Sequence, residues 1–377
     1  MTENQLVMTP EAEKEQVSQS YWSLVWWRFR KSRTAIIGAI IIIIFYTSFV
    51  IVPEFVAPNL LEQRSDFLES RPQKIHIRDT EGSWHLPFVY ALEEKIDLEL
   101  RLRYYEADTS KLYPINFFVK GAPYKLLGLI EWDVHLFGPD PEDPEATVFI
   151  MGTDPLGRDY FSRIIYGGRL SLMIGLIGVI LTLVFGSVLG AISGYYGGVT
   201  DIVVQRGTEF LAAFPGIPLF MALSAAIPIH WSPIAVYFMI TVILSFVSWG
   251  GLARQVRGLV LSLREREYVL AAISFGAGDR RILFRHLIPG ALSHIIVIST
   301  LAIPGMILSE TALSWLGLGL RPPLTSWGVL LNDAATVRAI RFAPWLLWTV
   351  PFIVITVLAY NMLGDGLRDA TDPYSGR

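Results

Sequence analysis

Seven arginines crowd the stretch from Ala253 to Gly290: Arg254, Arg257, Arg264, Arg266, Arg280, Arg281 and Arg285, against three acids, Glu265, Glu267 and Asp279. A guanidinium is charged at any physiological pH and presents its donors in a planar fork. So many arginines in one short connection mark it as cytoplasmic. Other chemically able residues are sparse. The chain has no cysteine, which excludes disulfides, Cys-ligated metals and Cys nucleophiles. Its histidines (His76, His85, His135, His230, His286 and His294) show no HExxH or tight ligand spacing. No GxSxG motif supports a hydrolase, and no GxxxxGK[ST] loop supports nucleotide binding. Glu310 stands near the end of a long apolar run. A carboxylate there marks a substrate path or an ion pair, or reaches water and caps backbone at the span end.

These residues sit in a chain built for a bilayer. Of 377 residues, 52% are hydrophobic and 17% charged, with a mean hydropathy of +0.45; soluble domains carry about 25% charged residues. A disordered or nucleic-acid-binding chain is excluded on that balance. Apolar runs of about 20 residues predict six spans: 35–52, 170–192, 211–229, 233–252, 292–316 and 344–363. Trp26, Trp27, Arg28, Arg30, Lys31 and Arg33 anchor the first on the cytoplasmic side, and Tyr21–Phe29 predicts a short interfacial helix. The polar, acidic first twenty residues point to an uncleaved span rather than a signal peptide. Gly186 and Gly190 form a GxxxG pair that allows close helix approach. Trp231, Trp327, Trp345 and Trp348 at span ends read as an aromatic belt. Arginine placement puts both termini and the Ala253–Gly290 connection in the cytoplasm.

The charge is uneven. Glu54–Glu145 holds 18 acids and 10 bases, a net of −8 within a chain totalling −3, so the remainder is +5. This insertion reads as a small β-rich outer domain. Leu98, Leu100 and Leu102 alternate with Glu99, Arg101 and Arg103, as in a half-buried strand, and Asp79–Gly82 reads as a hairpin turn. The expected division is a cytoplasmic tail with interfacial helix (1–34), a first span (35–52), an extracytoplasmic insertion (53–150) and a transmembrane core (151–377). The fold class is thus all-α polytopic membrane protein, about six transmembrane helices, with the β-rich insertion between the first and second.

Within the basic connection, Glu267–Phe275 is helix-compatible and Gly276 can end it. Asp279 predicts the N-cap of a second helix, Arg280–Leu287. Ala271 and Ala272 keep one face slim enough for another protein to approach. Physics alone leaves two readings: a docking element, or an ordinary basic loop.

The segment resembles the EAA loop of ABC-importer permeases, which runs Glu-Ala-Ala, three residues, Gly, nine residues, Ile, one residue, Leu-Pro. Ala271, Ala272, Gly276 and Pro289 fall in register; Leu270, His286 and Ile288 depart from it. Glu267–Ala272 and Arg285–Pro289 match the version of the oligopeptide/dipeptide/nickel branch. Gly152–Asp159 with Tyr166–Ser171, Gly194–Gly198, Glu310–Gly319 with Pro322-Pro323 and Ser326–Gly328, and Leu363–Pro373 resemble further segments of that branch. Their order is similar to its C-type permease subunits, specifically those with an enlarged outer domain.

The resemblance implies the type I importer fold in a bacterial inner membrane. It implies a partner permease of the B-type, two ATPase subunits that bind ATP and Mg, and an extracytoplasmic binding protein; this chain itself would bind no cofactor or metal. Coupling to the ATPase would fall to Glu267, Tyr268, Ala271, Ala272, Gly276, Ala277, Arg280, Arg281, Arg285, His286 and Pro289, with Glu310 a candidate for the substrate path. Peptides are the leading cargo, and relatives also import nickel or oligosaccharides. A secondary transporter should show internal repeats, and a polytopic receptor would leave the EAA-like loop unexplained.

Overall fold

The computed structural model describes residues 21–57, 63–98, 102–126, 128–228 and 230–372. The N-terminal tail before Tyr21, Ile229 at the end of the third expected span, and Pro373 of the C-terminal motif lie outside them.

Helix α1 (Tyr21–Phe29) lies where the sequence predicts it. Val25 and Phe29 pack with Ala35 and Ala370, while Trp22, Trp26 and Trp27 stay exposed. Arg28 donates to the Asp372 carbonyl (2.7 Å), so α1 holds the two ends of the described chain together. Ser32 caps α2 (Arg33–Phe45) by accepting from the Ala35 N–H, and a π-helical stretch extends it to Ile51. The short α3 (Pro53–Val56) leads into the β region.

Among the described residues, five helices are long and apolar enough to cross a membrane: Arg33–Ile51, Tyr160–Tyr196, Pro233–Leu263, Asp279–Trp315 and Pro344–Thr371. The expected third span, residues 211–229, is not one helix. α5 (Gly198–Ala212) ends there, and α6 (Gly216–Ala225) starts after a bend of 88°. Pro215 explains the break, because its ring disfavours helical backbone at Phe214 and Pro215 itself sits at ψ 128°. Counting the bent pair as one span restores six.

Helix α4 (Tyr160–Tyr196) is the centre of the bundle. It packs along α7 (Pro233–Leu263) through the glycine pair read from the sequence. A Cβ on Gly190 would stand 2.4 Å from the Ala253 carbonyl oxygen, and one on Gly186 2.9 Å from Leu252. On its other side α4 meets the long helix of the fifth span, α10 (Ile288–Trp315), which α8 (Glu267–Ser274) and α9 (Asp279–Ile282) precede. α11 (Trp327–Ala334), α12 (Val337–Phe342) and α13 (Thr349–Thr371) follow.

The insertion forms two antiparallel sheets: β1 (His76–Arg78), β2 (Trp84–Asp97) and β3 (Leu102–Pro114) in one, and β4 (Asn116–Leu126) with β5 (Ile130–Gly138) in the other. The expected turn is present. Asp79 Oδ1 accepts from the Glu81 and Ser83 N–H groups, its Oδ2 meets His85 Nε2 at 2.7 Å, and Gly82 adopts φ +91°. The bond from His85, then that from Ser83, holds the Asp79 carboxyl below its usual range. The expected strand at Leu98–Leu102 is corrected at Leu98, which sits in the turn ending β2 and is exposed; residues 99–101 lie outside the described ones, and Leu102 belongs to β3. Val89, Ala91, Tyr113, Ile115, Phe137, Ala146 and Val148 make a small core that rests on Phe161 of α4.

Candidate functional site

The basic connection folds into a short helix and a tight turn braced against the bundle. Val269 of α8 is fully buried and joins Ala191, Val256, Val260, Ile282, Leu283 and Leu287 in one apolar cluster. Beneath it, Arg257 grips Asp201 with two bonds (Nε–Oδ1 and Nη2–Oδ2, both 2.6 Å), and Ser193 donates to the same carboxylate at 2.5 Å. The ends of α4, α5 and α7 are thereby fastened together under α8.

Gly276 ends α8 as expected. Its φ of +80° lets its N–H donate to the Ile273 carbonyl (2.9 Å) and the Ala277 N–H to the Ala272 carbonyl (3.0 Å). This paired closure is a Schellman motif, and it needs a left-handed residue at that point. Asp279 departs from expectation. Gly278 takes the cap position, while Asp279 lies inside the first turn and accepts from Tyr195 Oη at 2.8 Å. It ties the turn to α4 instead of capping.

The outward face of α8 presents Glu267, Tyr268 and Ala271, with Ala272 and Ala277 half-buried at its base. Glu267 sits in the first turn, where a negative charge suits the helix dipole. The sequence reading missed three exposed apolar groups, Leu270 (50%), Ile273 (45%) and Phe275 (92%). Their signal was available: an eight-residue helix that buries only Val269 has more apolar residues than its inner face can use. Arg280, Arg281, Arg285 and Pro289 are exposed beside it. The half-buried His286 places its ring 6.4 Å from that of Tyr268. Exposed apolar side chains and exposed guanidinium groups thus share one short connection.

The other singled-out residues are internal. Glu310 is fully buried; it accepts from Ser171 of α4 (3.1 Å) and from Ser314 (2.7 Å). Ser171 Oγ also accepts from the Trp327 N–H, and Ser314 Oγ from the Leu320 N–H. Glu310 thus knots α4, α10 and the start of α11. At the head of α4, Asp154 accepts from Arg158 Nε and Arg163 Nη1 (2.7 Å each), and Arg163 reaches Asp333 at 2.9 Å. Asp159 caps α4 by accepting from the Ser162 N–H and hydroxyl, yet burial pushes its carboxyl up to about 6. The aromatic-belt reading is corrected for two tryptophans. Trp327 and Trp345 are buried and donate to the Ile164 and Thr153 carbonyls, whereas Trp348 is half exposed. Among the described residues, no three His, Cys, Asp or Glu side chains converge as a metal site.

The family model of the binding-protein-dependent transport system inner membrane component matches residues 186–374, and that of the N-terminal transmembrane domain of oligopeptide transport permease C matches residues 20–71. The chain belongs to the first of these families: it is a multi-pass inner-membrane permease component of an ABC importer, not its ATPase. It is 42% identical to the oligopeptide transport system permease protein OppC of Haemophilus influenzae over 224 residues, which is 59% of this chain and 70% of that one. It is 41% identical to OppC of Bacillus subtilis over 233 residues, 62% of this chain and 74% of that one. To the dipeptide transport system permease protein DppC of Alkalihalophilus pseudofirmus it is 43% identical over 224 residues, 59% and 71%. The five strands lie between the two matched segments.

Proposed function

We propose that this chain is the C-type permease of a peptide importer, and that α8 is the element through which an ATPase subunit drives it. The carrying observation is the two-faced α8: Val269 anchors it in the core while Leu270, Ile273 and Phe275 stand uncovered beside three arginines. A helix so placed transmits force only if a partner covers its outer face. ATP and Mg belong to two such ATPase subunits, and a homologous B-type permease completes the path. The similarity to oligopeptide and dipeptide permeases supports peptides as cargo; nickel or oligosaccharides would use the same machinery. A secondary transporter or a receptor gives α8 nothing to do.

In this reading both termini and the 253–290 connection are cytoplasmic, and residues 53–150 stand outside, where they receive the loaded binding protein or brace the partner permease. Affinity purification of the full chain tests the assignment. It should bring down nucleotide-binding subunits and a second permease, and substrate-driven import without any ATPase would refute it. Single cysteines test the orientation in this cysteine-free chain: Asp108→Cys should label from outside and Asp279→Cys only from inside.

A further inference from the structure

Midway along the bundle a groove of about 370 Å³ opens between α7 and α10, floored by Val179 and Thr182 of α4. That is within the roughly 300–1,000 Å³ of small-ligand clefts. Its α7 wall carries Ser248, Gly251 and Gln255, and its α10 wall Ser299, Gly305 and Ser309. From Ser299 to Ser309 it runs about 15 Å along the helix.

Four observations set this groove apart. Ser299 is only 7% exposed, yet its hydroxyl has no hydrogen-bond partner. A buried donor left unmade is costly unless something else enters to take it. Gly251 and Gly305 have no atom within 4 Å of where a side chain would start, unlike the glycines sealing α4 to α7. They hold space open rather than letting helices touch. Ser248 and Gln255 are exposed at this wall; the Gln255 amide donates to the Gly251 carbonyl of its own helix (3.4 Å), which leaves its second N–H and its carbonyl to face the groove, where hydrocarbon offers no partner. Among the described residues, no ionisable side chain lines the groove.

We propose that this groove is the chain's wall of the translocation path, and that it holds the moving peptide by its backbone amides. This rests on the peptide reading above. Hydroxyls and a carboxamide donate and accept, so they pair with the N–H and C=O groups that every peptide shares. A wall without charge neither traps nor rejects particular side chains. The Ser299 hydroxyl, Gln255 and Ser248 are the positioning groups, and Gly251 and Gly305 leave room for the strand.

The test uses the assembled transporter in vesicles and a membrane-impermeant maleimide, read as labelling of this subunit on a gel. Ser248→Cys and Ser309→Cys should label in at least one nucleotide state, and a saturating peptide-loaded binding protein should protect them. Phe246→Cys, exposed on the opposite face of α7, should not label. Ser299→Ala should lower peptide import about fivefold, the worth of one hydrogen bond, and Ser299→Leu should nearly abolish it, with ATPase assembly intact in both. No labelling at 248 and 309 in any state would overturn the proposal and make the groove a seam covered by the partner permease or lipid. Labelling without protection, in a transporter that imports no peptide, would instead fault the cargo reading and leave the groove standing.

Discussion

Val269 and Phe275 lie six residues apart on one short helix and its cap, yet the first is wholly buried and the second is 92% exposed. The two side chains divide the labour of α8, one fastening it and the other left for contact.

Their substitutions should therefore fail differently. Val269→Ala removes two buried methyl groups and should cost about 1.5 kcal/mol of stability, read as earlier thermal unfolding. Phe275→Ala should leave unfolding within about 0.5 kcal/mol of wild type but weaken retention of the ATPase subunits. Undiminished retention with normal import in Phe275→Ala would remove α8 as the contact.

The turn after α8 makes a graded prediction. Nothing lies within 4 Å of a Cβ at Gly276, so only its φ of +80° resists substitution. A left-handed residue with a side chain costs roughly 1–2 kcal/mol, least for Asn and most for a β-branched residue. Coupling of ATP hydrolysis to import should fall in the order Gly, Asn, Ala, Val. Glu267→Lys should also uncouple, because it places a cation at the helix N-terminus beside the arginines. Wild-type coupling in Gly276→Val would contradict the assignment.

Glu310 separates bracing from substrate contact. Glu310→Ala strands the hydroxyls of Ser171 and Ser314, a loss of roughly 1–3 kcal/mol per unmet group. Glu310→Gln keeps the shape and most bonds and should import nearly normally. A Glu310→Gln variant with unchanged thermal stability and no import would instead put this carboxylate in the path.

Asp159 gives a pH dependence. Its folded carboxyl is raised to about 6 from 3.8, chiefly by burial. The folded chain therefore holds this proton more tightly than the unfolded one. Stability from this group is complete below about pH 4 and falls as pH rises through 6, by roughly 3 kcal/mol in all. Asp159→Asn still caps the helix and should flatten that slope. A slope unchanged in the variant would assign it elsewhere.

What the sequence made legible was local. The Gly276 stop, the Asp79 turn and the Gly186–Gly190 contact each depend on a few adjacent residues, and each stands where it was read. What it hid was set by distant partners or by one-residue offsets. Ser171 reaches Glu310 across 139 positions, and Trp327 finds its acceptor 163 positions away, so neither burial follows from composition. Asp279 missed the cap because Gly278 is already extended there. The alternation at Leu98 begins in the turn that ends β2, where period alone cannot tell a strand from its end. The bend in the third span was hidden because an apolar run measures length but not direction, and Pro215 redirects it.

The glycines of α4 that meet α7 have a mechanical meaning. With a carbonyl and side chains filling every place where a Cβ would go, the two helices cannot slide or roll past one another and must turn as a single beam. α7 spans 31 residues. At 1.5 Å per residue it is roughly 46 Å long, so a tilt of about 5° at the Val269 end swings the far end by about 4 Å. A small push at one membrane face thus becomes, at the other, an opening nearly as wide as the spacing of two β-strands.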